Sequence, residues 1–388
     1  MRLRALLPLC LFASPVFSQQ DPEPRINPDH SVSFRYVAPS ATKVELALEG
    51  MKTPLAMQKD AAGEWTVISG VLAPEIYSYH FKVDGGTQLD PNGVLIKTSF
   101  LSVDNAFLVP GAQPQPWEVT AIPHGVVHRH GYTSKVVQGL EEGQSEFYVY
   151  TPPGYDPRKA SKYPVLYLLH GWSDAAGAWA SFGHANDILD NLIAGGKARP
   201  MVVVMPLGYG DLSFVRSGSK VWNDPATVDH NTGLFSQALL TEILPQVEKL
   251  YRVSDRREDR AIVGLSMGGL ESLSIGLNHS NQFAWVGGFS SAVHFLGLPE
   301  GSGLSKEPSG LAKDPSGLPK EPSKQPKLKL LWIACGTSDD LIKANRRFIS
   351  VLKTEGYPVT AVETPGAHTW MVWRENLVSF APLLFQGK

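Results

Sequence analysis

The chain has 388 residues, 43% of them hydrophobic and 19% charged, with a formal net charge of −2. This composition fits a folded protein with a sizeable core, long enough for two or three domains, and excludes a disordered chain. No basic balance is present of the kind that nucleic-acid binding needs, so no nucleic-acid partner is expected.

The first residues, "MRLRALLPLCLFASPVFSQQ", place Arg2 and Arg4 before an apolar run that ends at Val16-Phe17-Ser18. Basic start, apolar middle and small-residue site are the three parts of a secretory signal peptide, expected over residues 1–18. The apolar run is too short to span a bilayer. Leu9 stands where lipidation of Cys10 would call for a small residue, so no membrane anchor is expected and the destination is periplasm or medium. Cleavage would leave 33 basic against 37 acidic side chains and Cys335 as the single cysteine, so no intramolecular disulfide is available.

Residues 19–29 read as a linker. From 30 to 110 come "SVSFRYVAP", "KVELALEG", "GEWTVISG", "YSYHFKVDG" and "NAFLVPG". These are short alternating runs of β-branched and aromatic residues between Gly, Pro and Asp breaks, the signature of a β-sandwich. "FRYVAPSATKVELAL", "DAAGEWTV" and "YSYHFKVDGGTQLDPN" resemble the immunoglobulin-like early-set domains of the glycogen-binding, CBM48-like type. The resemblance makes Trp65, Tyr79 and Asp84 framework residues, with Trp65 alternatively an exposed platform for a sugar ring. A module that packs on its neighbour and shapes the neighbour's active site is the other role open to this domain. "PGAQPQPWEV", with three prolines, falls in the interdomain linker, set at 111–124.

Residues 125–388 alternate buried strands with amphipathic helices. "SEFYVYTP", "YPVLYLLHG" and "PMVVVMP" lead to "TGLFSQALLTEILPQVEKLY", which has an apolar helical face. "RAIVGLS", "MGGLESLSIGLN", "FAWVGGFSS", "KLKLLWIACG", "DDLIKANRRFISVLKTEG" and "PVTAVETPG" precede a last helix from about Met371. The pattern predicts an α/β domain whose mostly parallel sheet is covered on both faces. Within it, 302–327 carries three copies of a seven-residue unit, "SGLSKEP SGLAKDP SGLPKEP". Proline and glycine in each unit exclude a helix, so the segment is expected to be a disordered insertion, a surface-loop expansion rather than an active-site flap.

Gly264-Leu265-Ser266-Met267-Gly268 joins a predicted strand to a predicted helix, the setting a nucleophile elbow requires. Side chains at Gly264 and Gly268 would clash in so tight a turn, and the Met267 N–H would point at a developing oxyanion. A serine needs a base, itself oriented by an acid, in the chain order Ser, Asp or Glu, His. Of the three histidines that follow, His279 caps a helix and His294 has no acid at a strand end before it. His368 lies in the loop after the last strand and is the expected base. Asp339 is the first acid after the strand "LLWIACG" and the favoured partner, with Asp340 suited to a helix start and Asp314 confined to the repeat. The second oxyanion N–H is expected from Trp172, and His170 reads as structural. No H-E-x-x-H or clustered ligand spacing suggests a metal, and no cofactor is implied.

"YVYTPPGYD", "YPVLYLLHGWSDAAGAW", "GLSMGG", "CGTSDDL" and "PGAHTWMVWRENL" resemble the esterase D superfamily, and within it the feruloyl and acetylxylan esterases of carbohydrate esterase family 1. The resemblance implies an α/β-hydrolase fold with Ser266 as nucleophile, Asp339 as acid, His368 as base and the Trp172 and Met267 N–H groups as oxyanion hole. It also implies an esterified plant polysaccharide as substrate, carrying hydroxycinnamoyl or acetyl groups. Trp172, Trp179 and Trp222 are candidates to line an aromatic acyl pocket. Enterobactin (enterochelin) esterases share the domain order, and the mycolyl acyltransferases share the superfamily. A non-catalytic carbohydrate-binding protein is the reading from outside the enzymes. The sequence assigns no oligomeric state.

Overall fold

The computed structural model describes residues 24–296 and 326–386. The leader at 1–18 lies outside these residues, as does the 302–327 repeat except for its last two positions.

Ten short strands build the N-terminal domain. They are β1 (Arg25–Ile26), β2 (Val32–Val37), β3 (Val44–Leu48), β4 (Leu55–Ala56), β5 (Gln58–Lys59), β6 (Glu64–Ile68), β7 (Glu75–Val83), β8 (Gly86–Gln88), β9 (Leu95–Thr98) and β10 (Val103–Val109). One sheet runs β1-β2-β6-β5 and the other β4-β3-β7-β10-β9, with β8 on β7. Alternate residues of these strands turn inward, as the period of a half-buried strand demands. Phe34, Leu46, Trp65, Tyr79, Phe81 and Phe107 meet between the sheets. Trp65 is therefore a core residue: it is 6% exposed and its indole N–H donates to the Ala38 carbonyl. Burial leaves no face of its ring for a sugar. Tyr79 donates to Asp90, and Asp84 accepts from Thr42 and Lys43, so both hold the framework.

The connecting segment packs tightly. Trp117 is buried, and Asn191 donates to the carbonyls of Pro116 and Glu118.

The second domain holds one eight-stranded sheet: β11 (Val126–Thr133), β12 (Gln144–Thr151), β13 (Val165–Leu169), β14 (Val202–Pro206), β15 (Arg260–Leu265), β16 (Trp285–Phe289), β17 (Leu330–Gly336) and β18 (Val359–Thr364). Its order is β11-β12-β14-β13-β15-β16-β17-β18. β12 runs antiparallel to both its neighbours, and every later pairing is parallel. Strands β13 to β16 are buried throughout because both faces are covered. Tyr167 and Leu169 join the core on one face, and Leu166 and Leu168 join the core on the other.

The helices are α1 (Ala178–Ser181), α2 (Ala185–Ala194), α3 (Ser213–Arg216), α4 (Pro225–Ala238), α5 (Leu244–Leu250), α6 (Met267–Asn278), α7 (Ile342–Thr354) and α8 (Trp370–Phe380). Asp224 caps α4, its carboxylate accepting from the Ala226 N–H, and Pro225 occupies the first turn, where its missing N–H costs nothing. The single helix expected from the periodicity widens into a π turn over Leu239–Ile243 before α5. Pro245 explains the widening, since a proline can neither donate to the residue four back nor pack against its carbonyl.

Candidate active site

Four loops leave the C-terminal ends of the parallel strands β13, β15, β17 and β18 and converge. Ser266 stands between β15 and α6 with φ 53° and ψ −110°, a conformation that its surroundings must impose. A Cβ at Gly264 would sit 2.3 Å from the Gly268 carbonyl oxygen, and one at Gly268 would sit 2.4 Å from that of His170. The two glycines are thus sterically required, and the Gly268 N–H donates to His170 across the gap at 3.1 Å.

The loops after β17 and β18 are pressed together. The Thr337 and Ser338 amides donate to Thr364 and Gly366, and a Cβ at Gly336 would lie 2.6 Å from the Gly366 carbonyl oxygen. This contact sets Asp339 beside His368. The His368 Nδ1–H donates to Asp339 Oδ2 at 2.8 Å, and Ser266 Oγ lies 3.0 Å from His368 Nε2. The tautomer follows from these partners. Asp339 is 2% exposed, and its other oxygen accepts from the Leu341 N–H. Burial pushes its carboxyl up, but the hydrogen bond and charge of His368 outweigh that and hold it below its usual range. Trp373 stands edge-on to the His368 ring, with centroids 5.0 Å apart. Asp340 is exposed and takes no part.

The loop after β13 brings a second amide to the serine. A Cβ at Gly171 would lie 3.5 Å from Ser266 Cβ. Among the described residues the N–H groups of Trp172 and Met267 donate to no acceptor. His170 is buried and neutral: its Nδ1–H donates to the Gly171 carbonyl, Nε2 accepts from the Gly208 N–H, and burial pulls its pKa down to about 4. This array can take a proton from a serine hydroxyl, hold the resulting imidazolium beside a carboxylate, and offer two N–H groups to an oxyanion.

A cleft of about 420 Å³ opens over Ser266 and His368. Trp172 and Trp222 both line it, edge to face at 6.4 Å, and Phe214 and Phe295 back Trp222. Trp179 does not reach the cleft. It is fully buried, its indole N–H donates to the Leu169 carbonyl, and its ring meets Trp370 edge-on, so the tryptophan expected at the pocket is a core residue. Four titratable members of the cleft carry no role in the sequence reading: Glu49, Lys97, Asp174 and His294. Asp174 lies within the quoted "HGWSDAAGAW", whereas Glu49 and Lys97 come from the other domain and carry no motif. His124, Asp187 and Asp190 lie close enough to share a metal ion. Their atoms are engaged already: Asp190 accepts from Gly125 and Tyr150 and pairs with His124, and Asp187 pairs with His184.

Sheet order, elbow and converging loops define an α/β-hydrolase. The chain belongs to the putative esterase family, whose sequence pattern matches residues 141–384. It is 28% identical, over 94% of its length, to an endo-1,4-beta-xylanase/feruloyl esterase from Xylanibacter ruminicola, and it spans only 46% of that protein. A CE1 ferulic acid esterase from Anaeromyces mucronatus superposes with TM-score 0.58 and 25% identity, covering 70% of this chain and 96% of that one. The enterochelin esterase of Shigella flexneri shares the fold over 92% of both chains, with TM-score 0.65 and 18% identity. The likeness to the bacterial enzyme covers more of this chain than the likeness to the fungal one. No helix among the described residues is long and apolar enough to cross a membrane.

Proposed function

We propose that the protein is an exported serine esterase that releases feruloyl or related hydroxycinnamoyl groups from plant cell-wall polysaccharide, with acetyl as the other acyl group open to the same site. The observation that carries this reading is the hydrogen-bonded run Ser266–His368–Asp339 in a cleft walled by Trp172 and Trp222. The feruloyl esterase relatives support the acyl group, since paired indole rings suit a flat aromatic acid.

Ser266 Oγ attacks the ester carbonyl carbon while its proton passes to His368 Nε2. Charge gathers on the carbonyl oxygen, where the Trp172 and Met267 N–H groups donate to it. The bond from the acyl carbon to the sugar oxygen then breaks, and that oxygen takes the proton from Nε2. Water, deprotonated by the same nitrogen, attacks the acyl-serine, and the acid leaves as Ser266 recovers its proton. Asp339 holds the imidazole in the required tautomer and stabilises its charged form.

Incubation with feruloylated arabinoxylan and with acetylated xylan, followed by chromatography of the released acids, tests the substrate. Ferulate release is expected. Acetate alone would move the acyl group to acetyl, and neither acid would contradict the reading.

A further inference from the structure

The cleft over Ser266 has a wall from each domain. Its aromatic lining comes from the hydrolase, while the sandwich contributes Glu49 and Lys97. Glu49 follows β3, and its Oε2 accepts from both the N–H (3.0 Å) and the hydroxyl (2.7 Å) of Ser78. That clamp fixes the carboxylate and leaves Oε1 without a partner among the described residues.

Lys97 lies on β9, opposite Asp104 of β10. Its ammonium sits 5.0 Å from the Phe182 ring centroid and has no hydrogen bond or ion pair among the described residues. The hairpin that carries it is anchored to the oxyanion loop. The Phe100 N–H donates to the Ser173 carbonyl at 2.7 Å, and the Phe100 ring meets Tyr209 edge-on at 5.8 Å. The lysine is therefore held near the chemistry by a backbone contact between domains.

We propose that Glu49 and Lys97 form the subsite for the polyhydroxylated alcohol half of the ester, so that the sandwich acts inside the active-site cleft. A sugar presents hydroxyl hydrogens that need acceptors and oxygens that need donors. A carboxylate oxygen and an ammonium supply one of each, both charge-assisted. The flat acyl group has no use for such a pair, and the indole rings suit it already. The inference rests on the ester-hydrolase reading and assigns its leaving group.

The test compares Lys97→Met and Glu49→Gln with wild type on two esters of one acid, a feruloylated arabino-oligosaccharide and methyl ferulate, in the full chain. Each variant is expected to lower the ratio of kcat/KM for the sugar ester to that for the methyl ester by about tenfold, the effect of losing one charged hydrogen bond. A ratio within twofold of wild type in both variants overturns the proposal. Because both esters meet the same preparation, a misfolded fraction cancels from the ratio. If wild type cleaves only acetyl esters, the feruloyl reading falls, and the ratio is measured instead on acetylated xylo-oligosaccharide against p-nitrophenyl acetate. There too a tenfold fall supports the subsite and an unchanged ratio overturns it.

Discussion

Ser266, His368 and Asp339 lie 102 and 29 residues apart in pairs, and each sits where a strand of the sheet has just ended. Replacing Asp339 by Asn keeps the shape but lets an amide stabilise the wrong imidazole tautomer. A fall in kcat of about 10⁴ is expected on any ester cleaved, read from initial rates. Asp174, in the loop after β13, offers a second test. Burial raises its carboxyl to about 7 in the folded chain, against which Lys97 works only partly. A raised acid stabilises the fold while protonated, and that contribution is lost as pH climbs through 7. The stability advantage of Asp174→Asn over wild type, read from melting at each pH, should grow from about pH 4 to pH 7 and level off above. An advantage flat across that range would show that Asp174 does not carry the penalty. That Ser266, Asp339 and His368 meet was legible in the sequence because acid and histidine follow strands in a fixed order after the elbow. Trp179 was not, since nothing in its neighbours states that its ring points into the core rather than the cleft.

The elbow is the element on which the site depends. Gly268→Ala would put a methyl 2.4 Å from the His170 carbonyl, so the loop after β13 must shift or the turn must open. Loss of about 2 kcal/mol of stability together with most ester turnover is expected, measured by thermal melting and rate on one preparation. Normal stability and rate would mean that the turn has room to spare. The buried parallel strands were readable as apolar runs. β9 was not, because Leu95 and Ile96 are largely exposed and Lys97 and Thr98 supply no pattern, yet that strand carries a wall of the cleft. The π turn before Pro245 was equally hidden, since the apolar face of the helix persists across it while the backbone gives way.

At the scale of the molecule, the domains are locked by a buried pair. Arg374 of α8 is fully buried. It donates to Glu75 of β7, to the Ile76 carbonyl and, through Nη1, to the Phe182 carbonyl. Burial raises the Glu75 carboxyl and lowers the Arg374 guanidinium, and each offsets that only in part for the other. The pair therefore fixes the docking geometry more than it adds stability. Arg374→Met would strand Glu75 and is expected to cost ~3 kcal/mol or more, with an early transition for the sandwich in calorimetry. The sequence leaves Trp65 a framework residue or, alternatively, a platform for a sugar ring, and its burial makes it part of the framework. Hydrolysis of methyl ferulate by the full chain, with Ser266→Ala as control, tests the central claim most directly. Turnover by wild type and a loss on the order of 10⁶ in kcat in the variant are expected. Equal rates in the two proteins would contradict the nucleophilic role of Ser266 and the esterase mechanism built on it.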